Sequence, residues 1–120
     1  MTDFFWGTST SAFQIEGNIS NDFTEWENLG KFKNNGSNPL YENGSNHWEY
    51  WKNDFDFLKE LNLNSYRFSV EWSRIEPEIN KYSDKALKQY SEMIDYLLEN
   101  NIEPFLTLHH FSHPKWFHEF

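Results

Sequence analysis

The sequence predicts an α/β fold in which parallel strands alternate with helices. Residues 65–75 alternate between apolar and polar side chains, and residues 102–108 are almost continuously apolar, so both segments are typical of strands. Each follows a segment whose apolar residues recur every three or four positions, as in an amphipathic helix. Parallel strands need helical crossovers of this kind. The predicted order is therefore strand, helix, strand, helix, strand.

The first strand is predicted within residues 4–11, which begin apolar and end in small hydroxylated residues that suit a tightly packed turn. Residues 17–46 show no sustained periodicity. A connection of this length is usually functional or disordered, and its interspersed aromatic residues favour an ordered one. The first helix is then predicted from a cap at Asn46 to about Asn62. Its apolar stripe is Trp48, Trp51, Phe55, Leu58 and Leu61.

The second strand, predicted over residues 65–75, carries an arginine between aromatic neighbours. Arg67 is costly to bury unless it meets an anion or several acceptors. Two interpretations remain open at this point: Arg67 pairs with a structural carboxylate, or with a carboxylate that takes part in chemistry. The structural pair is the commoner case.

The second helix is predicted to begin at Ser83 or Asp84 and to end at the pair Asn100 and Asn101, which suits a left-handed cap. Its predicted apolar stripe is Leu87, Tyr90, Ile94, Leu97 and Leu98. The third strand follows, and two histidines and a phenylalanine stand at its end.

Composition excludes several classes of protein. A net charge of −9 over 120 residues argues against a nucleic-acid partner. Cysteine is absent, and no basic leader or membrane-length apolar run is present, so we expect a soluble, cytoplasmic chain without a membrane partner. Aromatic residues make up 20% of the chain, which indicates either a large aromatic core or a site that stacks on flat ligands and sugar faces.

Four blocks in the same order carry a family resemblance. Residues 5–17, ending in Gln14-Ile15-Glu16-Gly17, are followed by the blocks 46–48, 66–75 and 107–111. Together they resemble the amino-terminal part of family 1 glycoside hydrolases, the β-glucosidase and β-glycosidase family, and are most similar in sequence to archaeal members.

The resemblance implies a (β/α)8 TIM barrel with its site at the carboxyl ends of the strands. Residues 1–120 would supply only the first three strands and two helices, so the barrel is incomplete in this chain. Gln14 and His110 would bind glycon hydroxyls, Phe111 would stack where the family usually has Trp, and Arg67 would support the nucleophile. The substrate class is a β-linked glucoside, galactoside or related sugar.

Neither catalytic glutamate lies in this chain by the resemblance. Family members retain configuration with an acid/base glutamate after the fourth strand and a nucleophile after the seventh. Tyr41-Glu42-Asn43-Gly44 is similar to the nucleophile block, but it falls in the first long loop. We interpret Glu42 as a loop residue beside an Asn-Gly turn.

A three-stranded portion would leave one sheet edge unpaired and aromatic surface exposed. We therefore expect one or more complementary glycosidase chains to supply the remaining strands, and the chain alone to be inactive. A truncated piece is the other explanation. The alternative function is a non-catalytic sugar-binding or scaffolding domain derived from a glycosidase.

Histidines cluster near the end of the sequence and raise the question of a metal. They are His109, His110, His113 and His118. The first two are adjacent on a strand end and point oppositely, and Pro114 interrupts any helical face. No carboxylate stands at a recognised ligand spacing. We expect no metal and no cofactor.

Overall fold

The computed structural model of the chain describes residues 4–30 and 43–119, with residues 118 and 119 described by their backbone alone. Its elements follow in chain order: β1 (Gly7–Ser9), α1 (Ala12–Ile15), α2 (Asp22–Asn28), α3 (His47–Glu60), β2 (Ser65–Ser69), α4 (Trp72–Ile75), α5 (Asp84–Glu99), β3 (Glu103–Thr107) and a 3-10 helix (Lys115–Glu119).

The three strands form one parallel sheet in the order β1-β2-β3. Tyr66 at the middle of this sheet lies opposite Thr8 on one side and Pro104 on the other. The long helices α3 and α5 stand between consecutive strands, as parallel crossovers require. The predicted α/β fold, with parallel strands alternating with helices, is confirmed.

The core lies between β2 and the two long helices. Tyr66 and Phe68 are two residues apart, so they point to the same face of the sheet, and both are buried. The Phe55 ring of α3 lies 5.2 Å from the Tyr66 ring, and the Tyr90 ring of α5 lies 5.1 Å from that of Trp48. Aromatic residues therefore fill the space between sheet and helices, where each ring removes a large apolar area from water.

The predicted apolar stripe of α3 is correct except at Leu61, which is exposed. The predicted apolar stripe of α5 is partly wrong. The residues that α5 buries are Ala86, Tyr90, Met93 and Leu97, whereas Leu87 is 43% exposed and Leu98 52% exposed. Successive residues of a helix are about 100° apart around its axis. The prediction placed Leu87 on the buried face where the structure places Ala86, so the predicted face is rotated relative to the observed one. Leu87 and Leu98 therefore lie beside the buried face of α5 and not on it.

The second strand is shorter than predicted. β2 ends at Ser69, and the Val70 N–H donates the next bond, to the Thr107 carbonyl at 3.2 Å. The N–H groups of Arg74 and Ile75 then donate to the Glu71 carbonyl, at 3.0 and 3.1 Å, which forms the helical turn α4. Residues 72–75 are therefore helical, and the change of direction comes at Glu71.

The helix α2 lies in the segment where no periodicity was found. Its first turn is closed by a reciprocal cap, because the Asn21 side chain accepts from the Thr24 N–H at 2.9 Å and the Thr24 hydroxyl accepts from the Asn21 N–H at 2.9 Å. The expectation that this connection is ordered holds for residues 17–30 and 43–46; residues 31–42 lie outside the described part of the chain.

Large apolar side chains are exposed along β3 and beside the start of β1. They are Phe4, Phe5, Trp6, Phe105, Leu106 and Leu108. Among the described residues β3 pairs with β2 alone, so its other edge has no strand neighbour. The expected unpaired edge and exposed aromatic surface are both present. No helix in the described ranges is long and apolar enough to cross a bilayer.

Candidate active site

Because the three strands are parallel, their carboxyl ends lie at the same end of the sheet, and the segments that follow the strands begin there. Two hydrogen bonds join the first and third of these segments to the end of β2. The Ala12 N–H donates to Ser69 Oγ at 2.8 Å, and Ser112 Oγ donates to Glu71 Oε2 at 2.9 Å. The predicted site residues that follow β1 and β3 are thus brought to the same end of the sheet.

Gln14 lies on the short helix α1 with its side chain exposed. The buried Ser11 hydroxyl donates to Gln14 Oε1 at 2.6 Å, and the Gln14 N–H donates to the Ser11 carbonyl at 3.1 Å. Because Oε1 already accepts a hydrogen bond, the amide NH2 group is left to donate to a ligand oxygen. This geometry suits a donor to a sugar hydroxyl.

His110 and Phe111 follow β3 and contact each other, with ring centroids 5.0 Å apart. Phe111 has a positive φ of 51°, which is uncommon for a bulky residue and turns the chain sharply at this point. Its ring lies 5.8 Å from that of Phe13, the residue before Gln14. This ring contact connects the α1 segment to the segment after β3.

Arg67 lies on the face of β2 opposite Tyr66 and Phe68, between Ser9 of β1 and Phe105 of β3. Its side chain is exposed, so the interpretation of a buried arginine is wrong. Among the described residues no carboxylate forms a hydrogen bond or ion pair with its guanidinium. The positive charge therefore points to the open face of the sheet, where it can receive an anion.

A buried ionic cluster below the site was not anticipated from sequence. Glu16 Oε2 accepts from Arg74 Nε at 3.0 Å, and Glu16 Oε1 accepts from the Tyr90 hydroxyl at 2.7 Å. Arg74 also donates to the Gly17 carbonyl at 2.8 Å and stacks on the Trp48 ring at 4.0 Å. Burial raises the pKa of Glu16 to about 7, although the charge of Arg74 and the Tyr90 hydrogen bond act to lower it.

Glu71 is also buried, and its hydrogen-bond partners come from four separate segments. Its oxygens accept from Asn21 at 3.3 Å, Ser73 at 2.7 Å and Ser112 at 2.9 Å. Its N–H donates to the Tyr90 hydroxyl at 2.9 Å. Polar groups this deeply buried need such partners. Glu71 therefore connects the segments that follow the strands, and its side chain is not exposed to solvent.

Two of the histidines after β3, His109 and His113, form a pair. His109 Nε2 and His113 Nδ1 lie 3.1 Å apart, and the His113 N–H donates to Asp22 Oδ1 at 2.8 Å. Within the described residues no group of three or more His, Cys, Asp or Glu side chains could hold a metal ion. The side chain of His118, and Glu42 in the first loop, lie outside the described residues.

These observations define the chain as a parallel α/β unit with its candidate site at the carboxyl ends of the strands, the arrangement found in barrels of the TIM type. The family model for glycosyl hydrolase family 1 matches residues 1–120, and the chain belongs to this family.

Solved and curated relatives agree with the assignment. A β-glycosidase from Pyrococcus horikoshii superposes with a TM-score of 0.84 at 44% identity, over 97% of this chain and 26% of that one. A 1,4-beta-D-glucan glucohydrolase of Thermotoga neapolitana is 35% identical over 92% of this chain and 27% of its own length. Beta-glucosidase 1B of Phanerodontia chrysosporium is 36% identical over 98% and 23%. The chain thus spans about a quarter of the length of these relatives.

Proposed function

We propose that this chain is the glycon-binding, amino-terminal part of a retaining β-glycosidase. Gln14, His110 and Phe111 hold the sugar, and Arg67 supports the nucleophile. The acid/base and nucleophilic glutamates come from strands outside this chain. The observation that carries the proposal is the Phe13–Phe111 contact, 5.8 Å between rings, which connects the Gln14 segment to the His110 segment.

The chemistry of these groups fits sugar binding. Sugar hydroxyls both donate and accept, and the Gln14 amide and the His110 imidazole together offer both functions. An exposed aromatic ring such as Phe111 packs against the apolar face of a pyranose. Because Phe111 has no N–H, this side chain contributes stacking and no hydrogen bond.

Arg67 has a separate task in the proposed reaction. A retaining glycosidase needs an ionised carboxylate as nucleophile, about 5–5.5 Å from the acid/base carboxyl group. A guanidinium beside the nucleophile keeps the pKa of that carboxyl group low and its charge in place. The exposure of Arg67 on the open sheet face, without a carboxylate partner in the described ranges, supports this role.

The partner in this proposal is a complementary glycosidase chain that supplies the remaining barrel strands. Its support is the unpaired edge of β3 together with the exposed Phe105, Leu106 and Leu108. A fourth parallel strand on this edge would satisfy the free backbone groups and cover the apolar side chains.

The test combines native mass spectrometry with an assay on aryl β-glycosides, both on the same fraction purified from the natural source or co-expressed with neighbouring genes. A defined heteromeric mass that coincides with hydrolysis supports the proposal. A single-chain species without hydrolysis overturns it. A heteromer that binds β-glycosides but does not cleave them would instead establish the sugar-binding module.

A further inference from the structure

The turn that carries His110 and Phe111 has an unfavourable backbone conformation. The Ser112 N–H donates to the His110 carbonyl at 2.8 Å, and a hydrogen bond across two residues is the pattern of a γ-turn, here centred on Phe111. The φ of Phe111 is 51°, and a γ-turn with positive φ at its centre is the rare and strained form. Such a conformation persists only where the surrounding contacts hold it.

Polar contacts hold the turn at the two residues that follow Phe111. Ser112 Oγ donates to Glu71 Oε2 at 2.9 Å, and both side chains are buried. At the next position the His113 N–H donates to Asp22 Oδ1 at 2.8 Å, and the His113 carbonyl accepts from the Asp22 N–H at 3.0 Å. The strained turn is therefore bonded to the segment after β2 through one residue and to α2 through the next.

Glu71 is itself held in place by its other hydrogen bonds. Its second carboxyl oxygen, Oε1, accepts from Ser73 at 2.7 Å and from Asn21 at 3.3 Å, while its N–H donates to the Tyr90 hydroxyl at 2.9 Å. Because these partners fix both the backbone and the carboxyl group of Glu71, the acceptor that it offers to Ser112 has a defined position.

We propose that Glu71 is a positioning residue for the glycon site, because through Ser112 it holds the strained turn that presents His110 and Phe111. This inference rests on the proposed function, which assigns those two residues to the sugar. Glu71 is fully buried, so it acts through the turn and not by contact with the ligand. A shift of His110 by about 1 Å would be enough to weaken its hydrogen bond to a sugar hydroxyl and to lower activity.

The experiment compares Ser112→Ala with Ser73→Ala in the assembled protein. Ser112→Ala removes one hydrogen bond to Glu71 and leaves its other partners in place. Ser73 is a matched control, since its hydroxyl is also buried and donates to the same carboxyl group, but it does not belong to the turn.

The first measurement is the hydrogen-exchange protection of the amide at position 112, which needs no activity. Ser112→Ala is expected to lower this protection about five- to tenfold, in line with one lost hydrogen bond, and Ser73→Ala to leave it nearly unchanged. Wild-type protection in Ser112→Ala overturns the proposal, and so does an equal loss in both variants.

The second measurement connects the turn to the sugar. Ser112→Ala is expected to lower kcat/KM on aryl β-glucosides about three- to tenfold, and to weaken binding of the uncleaved methyl 1-thio-β-glucoside by a similar factor, whereas Ser73→Ala changes neither. In a His110→Ala background the loss caused by Ser112→Ala should become smaller, because the side chain that the turn presents has been removed.

The same loss in both backgrounds would show a general structural effect and would overturn the positioning role. Lower exchange protection with unchanged kinetics and binding would also overturn it. If the wild-type assembly neither cleaves nor binds β-glucosides, the proposed function fails, and the exchange measurement still decides whether Glu71 holds the turn.

Discussion

The Tyr90 hydroxyl donates to the Glu16 carboxylate at 2.7 Å and, through the same oxygen, accepts from the Glu71 N–H at 2.9 Å. One phenol on α5 therefore connects the segment after β1 to the segment after β2. Because all three groups are buried, none has water as a replacement partner.

Tyr90→Phe should destabilise the protein by about 1–3 kcal/mol, since it leaves a carboxylate oxygen and a backbone N–H buried without their partner. Chemical denaturation of the purified protein measures the change. Tyr50→Phe is the control, because its exposed hydroxyl takes part in no hydrogen bond among the described residues. Equal midpoints for the two variants would show that the Tyr90 hydroxyl is dispensable.

The stability contributed by Glu16 should depend on pH. Its pKa is raised from 4.5 to about 7, mainly by burial, so the folded state binds a proton that the unfolded state releases between these values. This contribution is therefore fully present below pH 4.5 and is lost as pH rises through 7, by about 3 kcal/mol in total. The wild-type free energy of unfolding, compared with that of Glu16→Gln at each pH, should fall across this range. A constant difference would contradict the raised pKa.

Replacing the proposed glycon ligands should lower kcat/KM in the assembled enzyme. Gln14→Ala and His110→Ala each remove a hydroxyl contact that strengthens toward the transition state, so losses of about tenfold or more are expected. Aryl β-glucoside kinetics measure both, with Asn53→Ala, an exposed amide on α3, as the control for Gln14. Near-normal kinetics in both variants would remove these residues from the site.

Ser11 should act through Gln14. Its hydroxyl fixes the amide orientation, so Ser11→Ala should lower kcat/KM about three- to tenfold, in line with one lost hydrogen bond. The double variant Ser11→Ala/Gln14→Ala should be no worse than Gln14→Ala alone. Additive losses in kcat/KM for the double variant would show that Ser11 has a separate role. Ser91→Ala, at an exposed serine of α5, is the control and should leave kcat/KM unchanged.

Gly17→Ala should destabilise the protein by more than about 2 kcal/mol, because strain and overlap add. Gly17 has a φ of 74°, and a Cβ there would lie 2.2 Å from the Asn43 carbonyl oxygen. Gly30 separates the two effects, since it has a φ of 65° but no atom of the described residues within 4 Å of a Cβ. Thermal unfolding should show a much smaller change for Gly30→Ala, and equal changes would exclude the overlap.

Periodicity was sufficient to predict the strand order and both long helices, because each buries one face of a regular repeat. It failed for α2, whose seven residues span barely two turns. It also failed for the contact between Glu16 and Tyr90, because a pattern in sequence carries no information about side chains 74 residues apart. Gln14, His110 and Phe111 were predicted through the family resemblance. The contacts that Ser11 makes with Gln14 and Phe13 makes with Phe111 are visible only in the structure.

The edge of β3 that has no strand neighbour among the described residues also limits how copies of the chain can associate. In antiparallel pairs two residues exchange hydrogen bonds reciprocally, as a two-fold axis demands, whereas the slanted bonds of parallel pairs are not reciprocal. A symmetric homodimer joined at this edge would consequently run its two central strands in opposite directions. Such a dimer would cover the edge without continuing the barrel. Only a different strand, entering in the same direction as β3, can extend the sheet toward closure.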